Sequence, residues 1–166
     1  PDRGSGSVTL DGQQTAQGMV VSEAGVVLRR FTFSDCTASS GGGLQINADA
    51  GSTVELSNCS FESCEATTAG AGLYVSGDTS NHASVDLTNC SWDACSIASN
   101  GMGGGVFSYS TDLTVSNSDF TSCNSLEGAA LYCKSGTFTL EDSTFSNNKW
   151  PGSFSDGSLV EISYNV

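Results

Sequence analysis

Apolar residues recur along this chain in short alternating runs, separated by turns of Gly, Ser, Asn and Thr. With the aromatic of "SFESC" taken as an anchor, the residues five and seven positions before it are apolar every time. The triplets are Val26, Leu28, Phe33; Val54, Leu56, Phe61; Val85, Leu87, Trp92; Leu113, Val115, Phe120; and Phe138, Leu140, Phe145. Three residues beyond the anchors stand Cys36, Cys64, Cys95, Cys123 and finally Asn148. Eight to twelve residues beyond each anchor a Gly opens another apolar run: "GGGLQI", "GAGLYV", "GGGVFS", "GAALYC" and, more loosely, "GSLVEI". The chain is therefore five copies of one unit, with anchors 28, 31, 28 and 25 residues apart.

Each unit holds three short segments of period-two alternation, Val-x-Leu, x-Cys-x-Phe and Leu-x-Val, and none has the length or period of a helix. One unit cannot enclose its own apolar side chains, so the copies must stack. Stacked in register, equivalent strands form parallel ladders about 4.8 Å apart, and equivalent side chains line up in columns. The expectation is a single all-β domain over 1–166, a parallel β-helix with rungs near 26–53, 54–84, 85–112, 113–137 and 138–166. A partial rung over 1–25 ("SVTLDG", "GMVV") precedes them. Turn chemistry agrees: three residues before the anchor the column reads Arg30, Asn58, Asn89, Asn117, Asp142, and Asn tolerates a left-handed bend.

Composition narrows the partners. Acidic residues number 18 against five basic ones, a net charge of -13, which repels a phosphate backbone and argues against nucleic acid. No apolar run approaches the roughly 18 residues of a membrane-spanning helix. Seven cysteines point to a secreted or surface location, and "NCS" at Asn58 and Asn89 spells glycosylation acceptors as well as a turn column. The strand-like end "EISYNV" leads us to expect further rungs, a partner chain or a lateral assembly beyond Val166.

The repeat Phe-x-x-Asn (or Cys) followed by Gly-Gly-x-Leu resembles the polymorphic membrane protein repeats of chlamydiae, whose motifs are FxxN and GGA[ILV]. The resemblance runs from about Val8 to Val166, with Cys in place of the usual Asn. It implies a right-handed parallel β-helix of a surface or secreted protein, often an adhesin.

Two sets of residues carry candidate chemistry. Cys36, Cys64, Cys95 and Cys123 share one column and Cys59 and Cys90 another, so neighbours are either stacked free thiols or inter-rung disulfides; Cys133, without a Cys neighbour, is the expected free thiol. A metal cofactor is not expected, because CxxC pairs and Cys/His clusters are missing and His82 is the only histidine. Glu55 and Asp86 share an outward column, as do Glu62 and Asp93, with Asp119 nearby. Such carboxylates could raise a pKa, recruit Ca²⁺ or serve a polysaccharide-cleaving enzyme, but no basic residue recurs beside them. Arg29 and Arg30 read as an edge guard. The more informative outward column is Gln45, Tyr74, Phe107, Tyr132, Glu161, because a stripe of aromatics on a solvent face marks a surface for protein or sugar. Tyr74, Phe107 and Tyr132 are the expected binding residues, with Trp150 and Phe154 of "NKWPGSFSDG" extending the patch. The expected role is a non-catalytic structural or adhesive module; the alternative is a polysaccharide-binding or pectin-lyase-like enzyme.

Overall fold

The computed structural model describes residues 6–22, 24–98, 100–149 and 160–163. Every regular element among them is a β-strand, and the strands assemble into four sheets. The aromatic sheet stacks Val8–Asp11, Phe31–Ser34, Ser60–Glu62, Ser91–Asp93, Asp119–Thr121 and Thr144–Ser146 in chain order. The glycine-led sheet stacks Met19–Val21, Leu44–Asn47, Leu73–Ser76, Val106–Tyr109, Leu131–Lys134 and Val160–Ser163. A third sheet runs Val26–Arg29, Thr53–Ser57, Ala83–Thr88, Thr111–Ser116 and Phe138–Glu141, and a short fourth holds Thr37–Ser40, Glu65–Ala69 and Ser96–Ile97. All pairings are parallel and join equivalent strands of successive rungs, so that Val54 meets Val85 and Leu56 meets Leu87. The fold is the expected parallel β-helix.

Alternation decides what the interior holds. Phe33, Phe61, Trp92 and Phe120 are fully enclosed and stack with Phe145 at centroid separations of 5.0, 5.3, 4.5 and 4.8 Å, with planes within 9°. Phe145, in the last rung, is only half-buried because no described strand follows it. The same reason leaves Leu140 40% and Ile162 44% exposed, although their columns are interior in earlier rungs.

The corners rest on left-handed backbone. Arg30, Asn58, Asn89, Asn117 and Asp142 all have φ between 44 and 61°, the bend read from the sequence. A second column, unforeseen, sits on the other side of the aromatic strands: Asp35, Ser63, Ala94, Ser122 and Asn147, with φ between 48 and 56°. Gly41, Gly70, Gly103 and Gly128 form a third, with φ between 55 and 69°, which explains why a Gly opens each glycine-led strand.

Candidate functional site

Tyr74, Phe107 and Tyr132 occupy one column of the glycine-led sheet, in register from strand to strand. Their rings stack at 5.2 and 5.4 Å with interplanar angles of 6°. They belong to a cluster separate from the interior core, completed by Ala69, Met102 and Tyr109. The column is thus outward-facing, but it is not the open stripe that alternation alone suggests. Phe107 and Tyr132 retain only 6% of their surface, while Tyr74, Met102 and Tyr109 are half-buried.

The reason for the closure lies at the left-handed glycines. Gly70 and Gly103 turn the chain sharply between the residues that precede them, Ala69 and Met102, and the glycine-led strands. Ala69, Met102 and Glu127 continue the short sheet as parallel bridges. The aromatic column lies in the crease between that line and the glycine-led sheet, so Phe107 and Tyr132 form a floor. Tyr74, Met102 and Tyr109 form the accessible wall. Met102 and Tyr109 were not read from the sequence, although Tyr109 lies two residues beyond Phe107 and therefore on the same side of its strand. Trp150 and Phe154 lie outside the described residues.

Stacking also sets what the crease can offer. Each ring covers the face of its neighbour, so Phe107 presents an edge rather than a face, and flat-on stacking of sugar or base is confined to the column's two ends. Around the crease lie Gln45 in the Tyr74 column and Asn47, Ser76 and Lys134 in the Tyr109 column.

All seven cysteines are buried free thiols, and six of them line up in the two expected columns. Cys36, Cys64, Cys95 and Cys123 are joined by backbone bonds from the following residue to the preceding cysteine carbonyl: Glu65 to Cys36, Ser96 to Cys64 and Asn124 to Cys95, at 2.8 to 2.9 Å. Asn148 ends that column differently. Its amide accepts from the Cys123 N–H at 2.8 Å and donates to the Phe120 carbonyl at 2.9 Å. Cys59 and Cys90 form the second column, with the Ser91 N–H donating to the Cys59 carbonyl at 2.9 Å.

Burial and neighbouring thiols pull these groups apart. Burial pushes Cys36 up to about 11 and Cys133 up to about 12, because an ionised thiolate loses its hydration there. Burial, followed by its two flanking thiols, also raises Cys95. The neighbouring Cys90 thiol, acting as donor, lowers Cys59 to about 7, and Cys90 is raised in consequence.

The outward carboxylates are arranged as expected, Glu55 beside Asp86 and Glu62 beside Asp93. Arg29 pairs with Glu55 at 3.6 Å, and Ser60 donates to Glu62 at 2.8 Å. Among the described residues no group of three or more His, Cys, Asp or Glu side chains is placed to hold a metal ion. Asn58 and Asn89 are exposed at their corners.

Comparison with known proteins supports the architecture. No curated protein and no solved structure matches the chain. The family model of the right-handed β-helix region matches residues 17–166, a span that takes in every rung from the second strand onward. The match is to this broad family rather than to the narrower chlamydial-type repeats. The chain belongs to the right-handed β-helix family.

Proposed function

We propose that this β-helix is a non-catalytic adhesive or structural module of the cell surface or extracellular space, and that it engages a protein partner through the external aromatic crease. The observation that carries this reading is the aromatic column itself. Three rings are aligned over consecutive strands in a cluster of their own, separate from the solenoid core. Aromatic and Met side chains at a partly open, polar-rimmed depression are the composition of a protein-binding anchor site. Ring edges rather than faces point outward, which suits aliphatic side chains of a protein better than a sugar ring. The acceptor asparagines Asn58 and Asn89, exposed at their corners, suit an extracellular setting.

The family spans enzymes and non-catalytic proteins, and the in-register pairs Glu55–Asp86 and Glu62–Asp93 are the feature an enzyme reading would use. One experiment separates the two. Purified chain and its Tyr74→Ser/Tyr109→Ser variant are assayed for binding to intact cells of the source organism and to their protease-treated counterparts. Both are also incubated with a panel of acidic and neutral polysaccharides. The expected result is saturable, protease-sensitive binding that weakens at least tenfold in the variant, with no sugar released. Release of reducing ends or unsaturated uronides would establish the enzyme; equal binding by parent and variant would remove the crease from the proposal.

A further inference from the structure

Among the chain's asparagines, Asn58 and Asn89 alone have Ser or Thr two positions on, in "NCS" both times. Asn117 stands in the same corner column but is followed by Ser118 and Asp119. The three share one backbone conformation, with φ of 55, 52 and 48°, and all three are exposed. Their main chain belongs to the ladder: the N–H groups of Asn58, Asn89 and Asn117 donate to the carbonyls of Thr88, Ser116 and Glu141, each at 3.1 Å. Their side chains do not. Among the described residues none of the three side-chain amides has a hydrogen-bond partner. A column kept for bonding from amide to amide would show those bonds, and this one leaves the amides to solvent.

Alternation arranges the rest of each triplet around the amide. Cys59 and Cys90 turn inward and are 2% exposed. Ser60 and Ser91 lie on the outer side of the aromatic sheet, half-buried, with the Ser91 hydroxyl donating to that of Ser60 at 3.1 Å. Before the corner, Ser57 and Thr88 are in register and also half-buried. Small hydroxyl side chains therefore flank both asparagines, and a bulky group carried on either amide projects into solvent without displacing the core.

We propose that Asn58 and Asn89 both carry N-linked glycans, one rung apart on a single edge of the solenoid. The inference rests on the extracellular reading of the module. The donor class is an oligosaccharide joined through a diphosphate to a lipid. The asparagine Nδ2 forms a bond to C1 of the first sugar, the C1–O bond to the diphosphate breaks, the amide gives up one proton and the lipid diphosphate leaves. The hydroxyl residue two positions on is part of the acceptor signal, so Asn117, with Asp119 there, stays bare. The corner joins the third sheet to the aromatic sheet, whereas the crease lies between the short sheet and the glycine-led sheet. The glycans thus shield one edge and leave Tyr74, Met102 and Tyr109 open.

The test uses chain purified from cells of the source organism and treated with a glycan-releasing amidase in heavy-oxygen water, which turns each glycosylated asparagine into isotope-labelled aspartate. Peptide mass mapping should find the label at Asn58 and Asn89 and unchanged amide at Asn117. Ser60→Ala should lose only the glycan of Asn58, and Ser91→Ala only that of Asn89. Both variants keep the left-handed asparagine at its corner, so loss of the glycan is read on a folded chain. Protease shaving of intact cells, run on the same culture, locates the chain. Shaved chain with either Asn58 or Asn89 unmodified would overturn the glycan proposal and leave the extracellular reading standing. Chain found only inside the cell would overturn the extracellular reading and the glycan proposal with it.

Discussion

Trp92 packs against Gly72, and the missing side chain at Gly72 is what admits the indole. A Cβ at Gly72 would stand 2.5 Å from Cδ1 and 2.9 Å from Nε1 of Trp92. The smaller rings leave slightly more room: the corresponding distance to Phe61 is 2.8 Å at Gly43, and to Phe120 it is 3.1 Å at Gly105. In the last comparable position Ala130 replaces glycine. The glycine before each inward Leu or Val thus belongs to the aromatic stack as much as to the turn.

Gly72→Ala is accordingly expected to destabilise the chain by about 1–3 kcal/mol through overpacking. Trp92→Phe in that background should recover part of the loss. The indole N–H of Trp92 is buried with no partner among the described residues, so Trp92→Phe alone should cost less than its volume suggests. Urea denaturation of the four-member cycle checks this; coupling below about 0.3 kcal/mol would mean that the two sites are independent.

Ala94 is the least suited residue in the second left-handed column. It has φ 53°, is exposed, and lacks the local hydrogen bonding that lets Asn or Asp occupy that region. Ala94→Gly should relieve about 1 kcal/mol of backbone strain and raise Tm by roughly 2–4 °C. The converse change, Asn89→Ala at φ 52°, should lower it. Differential scanning calorimetry decides, and a lower Tm for Ala94→Gly would mean that its backbone is not strained.

These positions also mark how far the sequence could be read. The aromatic column, its two apolar companions and the Asn corner were legible because identical chemistry recurs at fixed offsets, Asn58 to Asn89 to Asn117. The second corner was not, because Asp35, Ser63, Ala94, Ser122 and Asn147 share a backbone conformation without sharing a residue type. The short sheet was missed for a related reason: "TASS" and "EATTA" carry little apolar alternation. The outward direction of Tyr74, Phe107 and Tyr132 followed from alternation, but their burial did not. It depends on Met102, brought alongside by the Gly103 turn, and no local period announces a contact between two sheets.

Asp112 gives a test on the acid side. Its Oδ1 accepts the Thr137 N–H at 2.9 Å and the Thr137 hydroxyl at 3.0 Å, and faces His82 Nδ1 at 3.5 Å. The Thr137 N–H, first of these, holds the carboxyl below its ordinary value of 3.8. A carboxyl whose folded pKa is depressed stabilises the fold above its unfolded pKa, and that contribution is lost as pH falls through the folded one. Tm measured from pH 6 downward should therefore drop less steeply for Asp112→Asn than for the parent below about pH 4. Parallel profiles would show that the bond contributes nothing differential.

Cys133 should be the most inert isolated thiol. It lies beside Ser108 in an interior column, with burial pushing it up to about 12, so almost none is thiolate at neutral pH. Native-state alkylation at pH 8 should leave it unmodified after the time that fully labels it in denaturant. Rapid native labelling would require frequent opening of the fourth and fifth rungs.

The crease itself separates floor from wall. Phe107 retains 6% of its surface and is held between Tyr74 and Tyr132 at 5.2 and 5.4 Å, so Phe107→Ser removes a packed ring and leaves a void. It should cost about 3–5 kcal/mol, as for other buried Phe truncations, even though the side chain lies outside the solenoid core. Tyr74 ends the stack, with only Gln45 in register beyond it, and is half-buried; Tyr74→Ser should cost about 1 kcal/mol or less. If Tyr74→Ser proves as damaging as Phe107→Ser, the whole column is a second core and the wall has nothing to offer a partner. If Tyr74→Ser spares stability but weakens cell binding, the chain uses Phe107 and Tyr132 to hold Tyr74 rigid, and rigidity of an aromatic anchor is what lowers the entropic cost of association.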